Sequence, residues 1–343
     1  MENTLKLTLT PGYNMDWRIL NIIITGIVFL LGIRPGIVSA SDGDWQMRGT
    51  AQTYLQFYGG TSERDNTFHA GYFLMGDYLD KSQLGAGYSY SLVNLSGNAD
   101  ISEHLFYITG RHSIFPDSLP GKLTFRIDAF LGKDTTSSQT TSTTLVSGGM
   151  GNKGKGGLIR TTSTLTEDTD INALQPIISF INFNKTFYAD LGYARSRYDS
   201  SADTTASQVT PTVGFGWNDS YDWLQTRAYL IHIEEDVPAF TDDRFTSVEL
   251  AYTHWFPDSA SPRFESFGVT LLTGDRVFAV DPDAGAIYST ANRQKGNFSA
   301  NMIWRQTQTL SFMGLVSFSR FRNDAAASDY NGYLVYLNLQ HQW

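Results

Sequence analysis

The sequence predicts a transmembrane antiparallel β-barrel of about fourteen strands, on three observations. Apolar and polar residues alternate with period two from Gln46 to the end of the chain. The connections between the alternating runs are by turns short and long, and aromatic residues gather beside the short ones.

Composition agrees with the first observation. Of 343 residues only 17% are charged, yet there are 18 Tyr, 22 Phe and 31 Gly, and the formal net charge is −9. A barrel wall reads this way because polar and apolar side chains alternate, so hydrophobicity never accumulates along the chain. The absence of cysteine removes disulfides, zinc-thiolate sites and thiol nucleophiles. The acidic balance argues against nucleic acid as a partner.

Ile19 to Leu31 is an apolar stretch preceded by Arg18 and followed by Val38-Ser39-Ala40. A basic start, a short apolar run and small residues before a polar segment mark a secretory leader. Residues 1–40 are therefore expected to be a signal peptide, with Met15 an alternative start, and residues 41–343 the barrel.

The alternation is cleanest where Leu84, Ala86, Tyr88, Tyr90 and Leu92 interleave with Gln83, Gly85, Gly87, Ser89 and Ser91. Leu123, Phe125, Ile127, Ala129 and Leu131 likewise interleave with Thr124, Arg126, Asp128 and Phe130. Successive side chains of a strand point to opposite faces, so each run has one apolar and one mostly polar face. Period alone fits a soluble sandwich as well as a barrel; the turns decide. Short connections fall at 183–186, 218–222, 257–263 and 305–309, and longer ones at 94–101, 134–170, 196–208, 234–243, 274–296 and 320–331. Short periplasmic turns and longer extracellular loops are barrel topology. Phe115, Phe183, Phe187, Trp217, Phe256, Phe264, Trp304 and Trp343 sit beside the short connections or at the terminus, as an interfacial girdle would.

These boundaries give strands at 46–58, 67–78, 82–93, 102–114, 121–133, 173–183, 186–195, 208–218, 222–233, 245–256, 264–273, 297–305, 309–319 and 331–343. Twelve or sixteen strands also fit, because the runs at 173–183 and 222–233 are ambiguous in phase.

The last strand carries a resemblance. Tyr333, Val335, Leu337, Leu339 and His341 alternate with polar and bulky residues up to a terminal Trp343. A final strand closing on an aromatic residue resembles the assembly signal of bacterial outer-membrane proteins. The resemblance implies a multi-pass barrel in the outer membrane of a Gram-negative bacterium. It also implies contact with outer-membrane lipid and lipopolysaccharide, and insertion by the barrel-assembly machinery, with Tyr333, Leu337, Leu339 and Trp343 as the signal.

Fourteen strands close at a backbone radius of about 14 Å and leave an interior roughly 15 Å wide, too wide for side chains to fill. The expectation is a water-filled, porin-like diffusion channel. Its wall, by strand phase, includes Gln52, Tyr54, Gln56, Arg126, Asp128, Asp190, Arg227, Glu249 and Arg305. Mixed charges of this kind suit small neutral or weakly cationic solutes. Only about six residues separate the expected leader from the first strand, too few for the N-terminal plug of the fatty-acid transporter family. Asp134 to Asp170 is the one segment that looks long enough to narrow the lumen. It joins the fifth and sixth strands, as does the constriction loop of general porins. That resemblance implies a constriction carrying Lys153, Lys155 and Arg160; a surface loop rich in Ser and Thr is the other reading.

Two further functions stay open. One is a conduit within a multicomponent export or electron-transfer system, whose partners the sequence does not name. The other is an outer-membrane hydrolase, for which His232 beside Glu234, Glu235 and Asp236 is the place to look. His112 and Ser113 are neighbours on a strand and point apart. No metal or cofactor is expected. The acidic stretches, including Asp281-Pro282-Asp283-Ala284-Gly285, lack the spacing of a calcium loop and read as solvated surface charge.

Overall fold

Alternation over some twelve residues yields strands with one oily and one wet face, and the chain satisfies both by curling into a ring. The computed structural model describes residues 45–60, 64–79, 81–95, 99–146, 157–199, 203–234, 240, 242–257, 263–281, 283–287, 292–324 and 326–343, with side chains outside 139–164. The expected leader, residues 1–40, lies outside this set.

In chain order the strands are Trp45–Gly60 (β1), Arg64–Tyr78 (β2), Ser82–Leu95 (β3), Ala99–Ile114 (β4), Gly121–Val146 (β5), Gly157–Asn182 (β6), Phe187–Asp199 (β7) and Thr204–Trp217 (β8). They continue as Asp222–Ile233 (β9), Arg244–Trp255 (β10), Phe264–Arg276 (β11), Val280–Asp281 (β12), Ala286–Ile287 (β13), Arg293–Arg305 (β14), Leu310–Asn323 (β15) and Ser328–Gln342 (β16). The strands other than β12 and β13 form one closed barrel of fourteen, each antiparallel to its sequence neighbour. The ring closes between β1 and β16, in register from Arg48 opposite Gln342 to Gly60 opposite Tyr330. Trp343 extends that seam, accepting from the Met47 N–H (3.1 Å) and donating to the Met47 carbonyl (3.0 Å). β12 and β13 are a separate two-stranded sheet.

The two faces sort as a membrane requires. Leu250, Leu271, Phe298, Phe318, Tyr333 and Phe57 stand opposite one another on successive strands in one unbroken row. All six are exposed, Leu271 and Phe298 by about half. In water such a row would be an aggregation surface; against hydrocarbon it is the favoured contact. At the end where β1 begins and β16 finishes, Phe115, Phe183, Phe187, Trp217 and Phe264 are exposed too. Trp217 stacks on Tyr252, Trp304 on Phe312 and Trp343 on His341. This end holds the short turns and is the periplasmic one.

At the opposite end the strands outrun the expected boundaries. The expected loops at 94–101, 196–208 and 320–331 shrink to 96–98, 200–203 and 324–327, and β5 and β6 pair continuously out to Val146 opposite Gly157. β4 leaves β5 at Ser138 and β7 leaves β6 at Asp170, so beyond those points the two strands pair only with each other. The sequence there is rich in Thr and Ser, which keep β propensity, but it lacks the apolar alternation that reveals a strand. Length asymmetry between the two ends therefore rests mainly on the connections 147–156, 234–243 and 277–292.

Leu250→Arg places a charge on the lipid face near the middle of β10. It is expected to cost about 2–4 kcal/mol, read as a lower urea midpoint for refolding into liposomes, whereas the inward neighbour substitution Ala251→Ser should shift the midpoint little.

Candidate functional site

The wall's inner face is divided in two. From β4 round to β10 its upper part is apolar, with Leu105, Tyr107, Phe130, Ile171, Tyr198, Tyr229, Ile231 and Phe245 all buried. Inward apolar residues need a partner other than water. The connection after β11 supplies it. Val277, Phe278, Ala279, Val280 and Ile287 turn into the barrel and are buried against that patch. Fully burying a side chain of this size stabilises by ~1.5–3 kcal/mol, enough to hold a hairpin of only two residue pairs, Val280 opposite Ile287 and Asp281 opposite Ala286.

Polar contacts fix its position. Gln208 on β8 donates from Nε2 to the Val280 carbonyl (2.9 Å) and accepts at Oε1 from the Val280 N–H (3.1 Å). One side-chain amide thus supplies both bonds that a neighbouring strand would offer. Asp281 Oδ1 accepts from the N–H groups of Asp283 and Ala284, both at 3.2 Å, forming the turn. Gly285 completes it at φ 60°, where an added Cβ would lie 3.0 Å from the Phe73 ring. At the root, Arg276 stacks over Tyr229 (5.1 Å) and donates twice to Gln294 Oε1 (3.0 and 2.7 Å). Arg293 there faces Asp324 (2.9 Å), Asp275 (3.2 Å) and Asp242 (3.6 Å).

The tip reaches two wall arginines. Asp283 accepts from Arg126 Nη1 at Oδ1 (3.2 Å) and from Arg227 Nη2 at Oδ2 (2.5 Å). Both guanidiniums are held from behind: Arg126 by Asp128 (2.9 Å) and the Tyr107 hydroxyl (3.0 Å), Arg227 by Thr212 Oγ1 (3.1 Å). The Asp283 side chain is half exposed, to the barrel interior rather than to bulk solvent. Burial there would raise its pKa, but Arg227 and Arg126 outweigh that and hold it below the usual carboxylate value. The tip contact is therefore intact at neutral and mildly acid pH, and is lost only as pH falls through that depressed value.

Beside the hairpin, on the side of β1–β4 and β14–β16, lies a cavity of about 770 Å³. Of the residues expected to line a pore, Gln52, Tyr54, Gln56, Arg126 and Glu249 line this cavity. Gln52 accepts from the Tyr336 hydroxyl (2.9 Å), and Tyr54 stacks on His69 (4.5 Å). Asp128 is fully buried behind Arg126, Asp190 accepts from Tyr188 (2.6 Å), Arg227 belongs to the tip clamp, and Arg305 pairs with Glu265 (3.5 Å) toward the periplasmic end. Tyr333 and Leu337 face outward and are exposed. Leu339 pairs with Ala51 on the same seam strand that Trp343 ends.

Of the segment from Asp134 to Asp170, read either as a constriction or as a surface loop, residues 147–156 lie outside the described residues. Lys153 and Lys155 lie outside the described residues, and Arg160 stands on β6 opposite Thr143, in the part of the ribbon paired only with itself. None of the described residues of that segment lines the cavity. The 277–287 connection does enter the lumen, and Asp281 and Asp283, expected on the surface, are inside. The signal for it was the apolar run Val277-Phe-Ala-Val280 in the middle of a connection. Arg48 and Arg111, which flank Asp77 (3.2 and 3.4 Å) near the periplasmic mouth, and Gln208 carry no such signal; strand register brings the arginines to Asp77 from β1 and β4, and the inward fold of the connection brings Val280 to Gln208. At the extracellular rim His232 approaches Asp243 (3.6 Å), while Glu234 is taken by Arg195 and Ser207 (both 2.9 Å). His112 does meet a serine, Ser82 on the adjacent strand (2.8 Å), with no carboxylate bonded to that imidazole among the described residues.

No protein-family model matches the sequence, and no curated protein matches it. Solved structures similar in fold include the CymD monoaromatic hydrocarbon channel (7% identity, TM-score 0.49, covering 91% of this chain and 92% of that one). The toluene transporter TodX of P. putida follows at 10% identity and TM-score 0.48, covering 90% and 92%. The outer membrane protein Omp33 of Acinetobacter baumannii is similar at 10% identity and TM-score 0.39, covering 88% and 99%.

Gln208→Leu is expected to leave the barrel intact and both Val280 backbone groups unpaired. An unmet buried pair of this kind costs about 1–3 kcal/mol, so hydrogen exchange at the Val280 amide should quicken about tenfold to a hundredfold.

Proposed function

We propose that this barrel is an outer-membrane diffusion channel for small, neutral or weakly cationic solutes. The observation that carries the reading is the roughly 770 Å³ cavity inside a closed membrane barrel, beside a hairpin that fills only part of the lumen. Its wall is rich in amides and hydroxyls: Gln52, Gln56, Ser89, Asn297, Ser317 and Asn338. The charges on it balance, Arg48, Arg111, Arg126 and Arg276 against Glu103, Glu249, Asp281 and Asp283. A balanced wall neither repels nor traps an uncharged solute, and gives little discrimination between small ions. In planar bilayers the purified protein should open ohmic channels whose reversal potential in a KCl gradient shows a weak cation preference. Silence from both the wild type and a variant lacking 277–287 would sink the channel reading.

The terminus is proposed as the assembly signal, with Tyr333, Leu337 and Leu339 presenting the outward face and Trp343 closing the seam on Met47. Trp343→Asp is expected to lower the outer-membrane yield and leave protein in the periplasm, measured by fractionation and by heat-dependent gel mobility. An unchanged yield of heat-modifiable barrel would remove the terminus from that role.

A further inference from the structure

We propose that Arg126 and Arg227 form a carboxylate-binding clamp that the hairpin's own Asp283 occupies, and that a small free carboxylate displaces Asp283 and loosens the hairpin. The geometry is that of a ligand site already holding its ligand. Each guanidinium gives one N–H to a different oxygen of the same carboxylate, Arg126 to Oδ1 and Arg227 to Oδ2. That bridging fits a planar group with two equivalent oxygens. Both arginines are also held from the wall, Arg126 by Tyr107 and Asp128 and Arg227 by Thr212, so the clamp keeps wall partners when the tip leaves. Asp283 and Arg126 border the cavity, so an incoming carboxylate can reach the Arg126 N–H groups first and Arg227, buried behind Asp283, as Asp283 leaves.

Asp283 competes as a tethered group, with an effective concentration of the order of millimolar. A free carboxylate must therefore be present at millimolar levels or above to replace it. Such a ligand acts as an effector of the hairpin, whatever solute the cavity passes.

The chain has no cysteine, so a single reporter is unambiguous. Val280→Cys puts a thiol at a position that is 1% exposed under the docked hairpin. Its labelling by a water-soluble maleimide reads undocking directly and needs no current, so a barrel that conducts nothing still gives an answer. Sodium acetate is expected to speed labelling relative to sodium chloride at equal ionic strength, while glycerol has no effect. Adding Asp283→Asn should raise the basal rate about tenfold, the factor one charge-assisted hydrogen bond carries, and abolish the response to acetate. Two results overturn the proposal: an Asp283→Asn rate equal to the parent's, or a fast Asp283→Asn rate with a parent that ignores acetate. If Val280→Cys does not give a heat-modifiable barrel, Ala279→Cys, buried at the same contact, is the second reporter.

Discussion

Hydrocarbon offers no partner to a backbone N–H or C=O, so a strand that crosses a membrane must be paired along both edges. The seam between β1 and β16 meets that requirement, and the rest of the molecule depends on it. With the seam closed, fourteen strands have no free edge within the wall, and their number sets a lumen wider than wall side chains can fill. The inner face then has to be wetted or covered. This chain does both, with a polar half along β1–β4 and β14–β16 and an apolar patch on β4–β10 hidden under the hairpin.

The hairpin is held in two different ways, which gives it two different sensitivities. Its apolar side chains hold it by area removed from water, a contact indifferent to small ions. Its tip is held by one carboxylate between two guanidiniums, a contact that responds to competing anions and to acid. Gln208 lies between these in character, since a neutral amide matches a strand edge without any charge.

Much of the wall was legible in the residues. Each of the fourteen runs read from period-two alternation has its strand, because inside the bilayer one face must be apolar and the other need not be. Legibility failed where that contrast fades. At 134–146 and 157–170 the sequence is rich in Thr and Ser without apolar alternation, so these strands looked like loop. The lumen failed for another reason. Arg126 and Asp283 are 157 residues apart in sequence, and Gln208 and Val280 are 72 apart, so neither pair leaves a local pattern. Segment length drew attention to the stretch after Lys133, whereas the apolar content of 277–280 was the guide to the connection that is seen inside, since an apolar segment gains by leaving water for the inner wall.

The seam also sets the order in which the molecule can be made. Every other pairing in the wall joins strands adjacent along the chain, apart from the small insert of β12 and β13 between β11 and β14. Gln46 and Gln342, bonded across the seam, are 296 residues apart. Local hairpins can form as soon as their two strands exist, but the last contact waits for the whole chain and carries the largest loss of chain entropy. Until it forms, the sheet has two bare edges that would pair with any other strand on offer. The route to this barrel therefore passes through an open sheet whose first and last strands must be kept from other partners until they find each other.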